Sequence, residues 1–177
     1  MIGDIRDKGY TLIEMLVVVL LFSVIVGSAT SVFASAIKMQ KYNLSYQQLL
    51  NQTSYAIEFM SRSIRMAKKD SIGCIDGSNY QVTTSSVKFA TYHNQCWEFY
   101  LEAGQLKMRK DGSNYDLTSD DFTVNSFSVS VTGDGADLEQ PKVTISLDIE
   151  GNITTSESKP KINIQTTISQ RNLDQEL

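Results

Sequence analysis

The residues that could take part in chemistry lie near the start of the chain, around one glycine and one carboxylate. A short polar segment ends at Lys8 and Gly9, and an apolar segment follows from Tyr10. Glu14 lies early in this apolar segment, where a carboxylate is expensive and usually has a specific partner. A free amine on Tyr10 would be such a partner, because four residues nearly close one helical turn. The pattern draws attention to the peptide bond between Gly9 and Tyr10.

The apolar segment is long enough to cross a membrane as a helix. No charged residue occurs between Met15 and Ile37, and a hydrocarbon core takes about 20 residues. Because a backbone in lipid must satisfy its own hydrogen bonds, one isolated span is predicted to be helical. Small residues in the segment would let another helix approach closely; these are Gly27, Ser28, Ala29 and Ser31. On hydropathy alone, a plain single-pass anchor is an equally good interpretation.

The run from Gly9 to Val19 resembles the processing motif of type IV prepilins and the related pseudopilins. It has a glycine before the cut, an aromatic first residue, Thr-Leu-Ile, and then a glutamate. The family usually begins its mature chain with phenylalanine, and Tyr10 is a conservative departure from this pattern. The resemblance implies that a prepilin peptidase cleaves between Gly9 and Tyr10 and N-methylates Tyr10.

The position of this cut distinguishes the segment from a secretory signal, which is cleaved after its apolar core. Here the whole apolar helix would stay on the mature protein. In prepilins the matching glutamate registers an incoming subunit against the filament, and the resemblance carries this role to Glu14. The alternative for Glu14 is a carboxylate that reaches the membrane edge. The charges on either side of the span give only a weak positive-inside signal, so the cytoplasmic location of the leader rests on the resemblance.

An amphipathic stripe predicts that the helix continues beyond the membrane segment to about Lys69. Lys68 and Lys69 suit the negative end of a helix dipole, and Gly73 indicates a stop. Such a helix would be roughly 90 Å long, and the absence of proline before Pro141 predicts no proline kink. The stripe consists of Met39, Tyr42, Tyr46, Leu49, Thr53, Ile57, Met60, Ile64 and Ala67.

After Gly73, short β-branched and aromatic runs alternate with turn residues, and their polar–apolar alternation is typical of antiparallel strands with one wet face. The predicted class is α+β, with a long N-terminal helix packed on an antiparallel β-sheet head. Residues 102–105 indicate a hairpin turn. The predicted strands are Ser86–Tyr92, Cys96–Leu101, Leu106–Lys110, Phe122–Thr132, Lys142–Ile149 and Lys161–Ile168.

These observations divide the chain into four predicted segments. They are a leader at residues 1–9, the transmembrane and assembly half of the helix at 10–37, its amphipathic half at 38–70, and a β-rich head at 71–177 whose tail is frayed from Arg171.

The two cysteines, Cys74 and Cys96, form an even count in a chain destined for the outside, which favours a disulfide. It would close a loop of about 20 residues and contribute about 3 kcal/mol by the chain-entropy estimate. Two buried thiols are the alternative. Cys-x-x-Cys spacing is absent, so a structural zinc site is not expected.

Other candidate chemistry is weak. His93 lies in a turn-like stretch and is expected to be a polar surface group, and no nucleotide-binding or hydrolase motif occurs. The acidic pairs Asp120–Asp121 and Asp134–Asp137 do not fit an EF-hand loop, so no metal and no cofactor are expected. Lys107, Arg109 and Lys110 form a small basic group that could contact DNA. The net charge of −4 argues against a broad nucleic-acid surface.

Together these features predict a structural subunit rather than an enzyme. The large head and the run 164–173 look like minor pilins of the W type or J-type pseudopilins, which would help to initiate or cap a filament. The implied partners are the prepilin peptidase, other pilin or pseudopilin subunits, the inner-membrane assembly platform, and lipid before assembly. The head would lie outside the cytoplasm. The alternatives are a type II secretion pseudopilin and an uncleaved, signal-anchored surface adhesion protein.

Overall fold

A computed structural model describes residues 9–134, 139–152 and 159–171. It confirms the predicted α+β class, because one long helix is followed by antiparallel strands. The predicted leader up to Lys8 and the tail after Arg171 lie outside the described residues. The elements are α1 (Leu12–Arg65), β1 (Ala67–Lys68), β2 (Tyr80–Thr83), β3 (Ser86–Thr91), β4 (Cys96–Glu102), β5 (Gln105–Lys110), β6 (Ser113–Asp116), β7 (Phe122–Thr132), β8 (Lys142–Gly151) and β9 (Lys161–Ser169).

The chain forms two compact units, Met1–Lys41 and Tyr42–Leu177, and the boundary between them falls within α1. In the first unit every described side chain is exposed, including the long run of leucine, valine and isoleucine. This part of α1 is long and apolar enough to cross a membrane. Its side chains are therefore suited to lipid or to other apolar helices.

In the second unit, one face of α1 supplies a wall of the hydrophobic core. Its buried residues recur at spacings of three and four, as the amphipathic pattern predicts; they are Leu49, Thr53, Ala56, Met60 and Ile64. Two members of the predicted stripe differ. Met39 belongs to the first unit and is 64% exposed, and Tyr46 is 38% exposed. The buried stripe therefore begins later than the sequence pattern predicts.

The helix ends earlier than predicted. Its last turn closes when the Met66 N–H donates to Arg62 O (3.2 Å), and Ala67 and Lys68 then form β1 against β3. The prediction that the helix continues to about Lys69 was wrong, because strand pairing replaces the helical hydrogen bonds from Ala67 onward. Ala67 is still fully buried, so its apolar character reflects core packing in a strand.

The strands form two antiparallel sheets. In the first sheet the order is β1-β3-β4-β5-β6, with β2 also paired to β3; in the second it is β7-β8-β9. Both sheets and α1 contribute to one buried cluster. In β8 the inward side chains are all fully buried: Val143, Ile145, Leu147 and Ile149. The alternation in the sequence therefore marks the inner face of the second sheet.

The predicted hairpin turn at residues 102–105 connects β4 to β5. Glu102 pairs with Gln105, and the two residues between them, Ala103 and Gly104, have φ angles of 51° and 77°. Positive φ at both positions is the requirement of a two-residue type I′ turn. Gly104 O also accepts the Val124 N–H of β7 (2.8 Å). The turn thus joins the first sheet to the second.

A bulge in β7 keeps its apolar side chains on the core side. The pairing with β8 shifts register between Val124 and Ser126. Phe122 and Val124 precede the shift and Phe127 follows it, and all three are buried. Because one residue of slip reverses the two faces of a strand, the extra residue at Asn125 is what lets both halves face the same core.

The chain between β1 and β2 is held by a disulfide and by one carboxylate. Cys74 and Cys96 are bonded, with Cα atoms 5.6 Å apart, and the bond joins this connection to the start of β4. Asp70 accepts the N–H groups of Ile72 (3.0 Å) and Ile75 (2.7 Å). Burial acts to raise the pKa of Asp70, but its backbone hydrogen bonds outweigh that effect and hold the pKa below the ordinary value.

A buried polar junction joins the end of the helix to the last strand. Gln170 is 1% exposed, and its amide donates to Ala67 O (3.0 Å) and to Asn79 Oδ1 (3.2 Å). The Arg171 N–H donates to Arg65 O, the last carbonyl of α1 (2.9 Å). These bonds supply partners to backbone carbonyls that would otherwise be costly to bury.

We expect Gln170→Ala to lower the free energy of unfolding by about 2–4 kcal/mol, because it removes the amide that donates to two buried acceptors, Ala67 O and Asn79 Oδ1. Gln165→Ala, an exposed change in β9, is the matched control and should change stability by less than about 0.5 kcal/mol. Denaturant unfolding of the solubilised protein measures both. Equal effects of the two variants would contradict the role of Gln170.

We expect Asp70→Asn to remove a part of the stability that depends on pH. Because the folded pKa is lowered, the ionised carboxylate stabilises the protein fully above its unfolded value of 3.8. That contribution is lost as the pH falls through the folded pKa. The difference in unfolding free energy between the natural protein and Asp70→Asn should therefore narrow as the pH falls below 3.8 and through the lower pKa of the folded state. A difference that does not vary with pH would show that the charge of Asp70 contributes nothing.

Candidate functional site

The predicted processing site lies where α1 begins. Thr11 is the N-cap residue, because its Oγ1 accepts the Glu14 N–H (3.3 Å). Its carbonyl accepts the N–H groups of Glu14 (3.1 Å) and Met15 (3.3 Å). The cap supplies partners to donors that a helix start leaves unpaired. The role of Thr11 was not predicted, although Thr-x-x-Glu is the signature of a capping box.

The residues before the cap are accessible. Gly9 and Tyr10 precede the helix, Tyr10 is 78% exposed, and no atom lies within 4 Å of a Cβ built on Gly9. A processing enzyme requires a peptide bond that is not covered by the rest of the protein. The structure thus places the predicted cut in a segment that a peptidase could reach, immediately before a capped helix.

Glu14 occupies the third position of α1, within its first turn. The N-terminus of a helix favours negative charge, because the unpaired N–H groups carry partial positive charge there. The carboxylate belongs to an exposed residue and is accessible to a cationic group. The arrangement can therefore bind one cation at the start of the helix.

Three hydroxyl groups in the apolar part of α1 are satisfied within the helix. Ser23 Oγ donates to Val19 O, Ser28 Oγ to Ile25 O, and Thr30 Oγ1 to Val26 O, each at 2.8 Å. A side chain that bonds the preceding turn leaves no unpaired hydroxyl donor to face hydrocarbon. These polar residues are therefore compatible with a lipid-facing or helix-facing surface.

The basic group on β5 is divided between two faces. Lys107 and Arg109 lie on the outer face, opposite to the buried Leu106 and Met108. Lys110 lies on the same face of the strand as the buried residues, and its Nζ lies 5.4 Å from the ring centroid of Trp97. The structure therefore does not bring the three cations together as one surface.

The two outer cations are paired with carboxylates. Lys107 lies 3.1 Å from Glu102, whose hydrogen bond raises the pKa of Lys107. Arg109 lies 2.8 Å from Glu98, and its guanidinium lies 4.8 Å from the centre of the Tyr100 ring. Because carboxylates on the neighbouring strand neutralise both cations, this surface is poorly suited to the phosphate contacts that dominate nucleic-acid affinity.

The remaining candidates occupy structural positions. His93 is exposed and borders a groove of about 260 Å³ near Trp97. Asp134 accepts the Asn79 N–H (3.1 Å) and the Tyr80 N–H (3.3 Å), so it anchors the start of β2. Asp137 lies outside the described residues. Within the part of the chain that the structure describes, no group of three or more acidic, histidine or cysteine side chains could hold a metal ion.

Comparison with known families identifies the N-terminal segment. Residues 5–30 match the family model described as the prokaryotic N-terminal methylation motif. Neither a curated protein nor a solved structure matches the chain. The match includes Gly9, Tyr10, Glu14 and the first turns of the apolar helix, and it leaves the head unassigned. This chain carries the prokaryotic N-terminal methylation motif, the signature of type IV prepilins and pseudopilins.

Proposed function

We propose that this protein is a minor pilin-like structural subunit that helps to initiate or cap the assembly of a type IV pilus filament. In this role a prepilin peptidase cleaves between Gly9 and Tyr10 and N-methylates Tyr10. The observation that carries the proposal is the coincidence of the methylation motif at residues 5–30 with the start of an apolar helix whose side chains are uncovered.

The position of Glu14 favours assembly over simple anchoring. Cleavage would create an amine on Tyr10, about one helical turn from Glu14. Two opposite charges in an apolar environment attract strongly, but each loses its hydration, so they are stable there only as a pair. Because the amine of a neighbouring subunit satisfies the carboxylate as well as its own does, the pair can register one helix against another.

The head supports a location outside the cytoplasm. The Cys74–Cys96 disulfide is of a kind that persists in oxidising compartments. Before assembly the protein would be a single-pass protein of the inner membrane, with its leader in the cytoplasm. It would then be extracted by the assembly platform and join other pilin subunits. Its role is structural rather than catalytic.

A type II secretion pseudopilin is the alternative from the same assembly class, because it would share the leader, the helix and Glu14. The two are distinguished by where the mature protein accumulates: in a surface fibre or in a short structure confined to the cell envelope. The uncleaved adhesion protein is distinguished by its intact leader.

We expect the N-terminal peptide of the membrane-extracted protein to begin at Tyr10 and to carry one added methyl group. Mass spectrometry of that peptide from cells with an active prepilin peptidase makes the measurement. Gly9→Val is the control, since a bulky side chain before the bond should block cleavage and leave the leader attached. An intact leader in the natural protein would return it to the plain-anchor class.

We expect Glu14→Ala to be processed normally but to enter filaments poorly, because the Tyr10 amine loses its partner. An uncompensated buried charge costs about 3–5 kcal/mol, so incorporation should fall by at least about tenfold. Quantifying the subunit in sheared filaments and in membranes makes the measurement.

Two further variants separate charge from capping at this helix start. Glu14→Gln keeps the size of the side chain and should fail as Glu14→Ala does, whereas Thr11→Ala removes the cap hydroxyl, keeps the carboxylate and should still assemble. Normal incorporation of Glu14→Ala would refute the role of Glu14.

A further inference from the structure

β9 is an edge strand of the second sheet, and its outer side is open. β9 pairs with β8 along Lys161–Ser169 and has no strand on its other side among the described residues. Its sequence is Lys-Ile-Asn-Ile-Gln-Thr-Thr-Ile-Ser. The strand contains no proline, no glycine and, after Lys161, no charge. Natural proteins usually protect such an edge with charges, proline, bulges or short length, and β9 has none of these from Ile162 onward.

The hydrogen-bond pattern shows which backbone groups of β9 are free. The Gly151 N–H donates to Pro160 O and the Gln170 N–H to Pro141 O, both at 2.9 Å. These pairs continue the β8–β9 register, so even-numbered residues of β9 bond to β8 and odd-numbered residues direct their N–H and C=O groups outward. Within the described part of the chain, the outward groups of Asn163, Gln165 and Thr167 have no hydrogen-bond partner.

The other edge strands offer fewer free backbone groups. β1 has two residues, and β2 and β6 have four each. β7, the opposite border of the second sheet, already donates its Val124 N–H to Gly104 O. Among the described residues, β9 is therefore the edge strand with the longest uninterrupted row of outward backbone groups available to another strand.

We propose that β9 pairs with β9 of a second copy of this chain, antiparallel and centred on Ile164. The two three-stranded sheets would then form one continuous sheet of six strands. This is strand addition at a sheet edge, in which main-chain hydrogen bonds give affinity and alternate side chains give register. The contact is isologous, so one patch serves both copies. It involves the head alone and goes beyond the proposed assembly role of the helix.

The sequence of β9 is complementary to itself in this register. Each residue whose backbone groups point outward lies opposite another such residue. Asn163 lies opposite Gln165 of the second copy, and Lys161 lies opposite Thr167 of the second copy. No like charges oppose each other. The two Ile164 side chains face each other at a non-hydrogen-bonded position, where Cα atoms of antiparallel strands approach to about 4.5 Å. Ile164 is half-buried in the single chain, so pairing covers its remaining apolar surface.

The end of α1 favours this register over pairings centred later in the strand. The Arg171 N–H, which also points outward, is bonded to Arg65 O, so the helix end occupies the edge just beyond β9. A pairing centred on Ile164 places Lys161 of the second copy opposite Thr167, before that point. Pro160 and Lys159 of the second copy would follow opposite Ile168 and Ser169, so the described part of the incoming segment stops two residues before Arg171, where α1 meets the edge.

Cysteine cross-linking of the full-length solubilised protein tests the pairing. Ile164→Cys should give a disulfide-linked dimer on mild oxidation. Ile162→Cys is the matched control, because its two copies would lie about 13 Å apart along the strand, beyond the reach of a disulfide. Cross-linking should return when Ile162→Cys is combined with Thr166→Cys, which faces it in this register.

A second pair of variants tests the edge itself. In the Ile164→Cys background, Gln165→Pro removes one outward N–H without disturbing the bonds to β8 and should reduce the dimer to the level of the Ile162→Cys control. Gln165→Thr should leave the dimer unchanged. The proposal is overturned if Ile164→Cys gives no more dimer than Ile162→Cys, if the dimer survives Gln165→Pro, or if Ile164→Cys is captured by a different protein.

Discussion

The head depends on one constraint: a single face of α1 must close the core of both sheets. Leu49, Met60 and Ile64 are fully buried on that face, and the half-buried Phe59 meets the rings of Trp97 and Phe99 at centroid distances of 6.1 Å each. Neither sheet could bury its apolar side chains alone, since each leaves one face uncovered. The bulge in β7 and the turn at Gly104 follow from this constraint, because they direct apolar side chains of both sheets toward the same face of α1.

The same helix meets a different requirement in its first unit, where described side chains are exposed and apolar. There the helix must satisfy its own polar groups. The hydroxyls of Ser23, Ser28 and Thr30 bond to the preceding turn, and Thr11 caps the first donors. Glu14 is a charged group in the first turn of this helix, and under the proposed function the amine of a processed terminus would pair with it.

The sequence predicted the features that rest on local patterns. The apolar run, the alternation in β8 and β9 and the turn at residues 102–105 were all visible, because periodicity and turn chemistry act over a few residues. β1, β2 and β6 were missed because their stability comes from pairing and not from the residues themselves. β1 and β2 pair with β3, and β6 pairs with β5. The bulge at Asn125 and the junction at Gln170 depend on contacts between distant segments, which one sequence does not display. The roles of Gly9, Tyr10 and Glu14 stay predictions, although the methylation motif supports them.

The junction at Gln170 has a consequence for when the head can fold. Its amide donates to Ala67 O across a sequence separation of 103 residues. The Arg171 N–H donates to Arg65 O, the last carbonyl of α1. Contacts between the first and last parts of a domain form late, because the entropy of closing the long loop must be met first. Under the proposed function, the end of α1 and the helix face that lines the core would stay uncovered until β9 has crossed the membrane. If the head is exported as proposed, translocation and folding would be ordered in time, and the incomplete head would be exposed to aggregation during that interval.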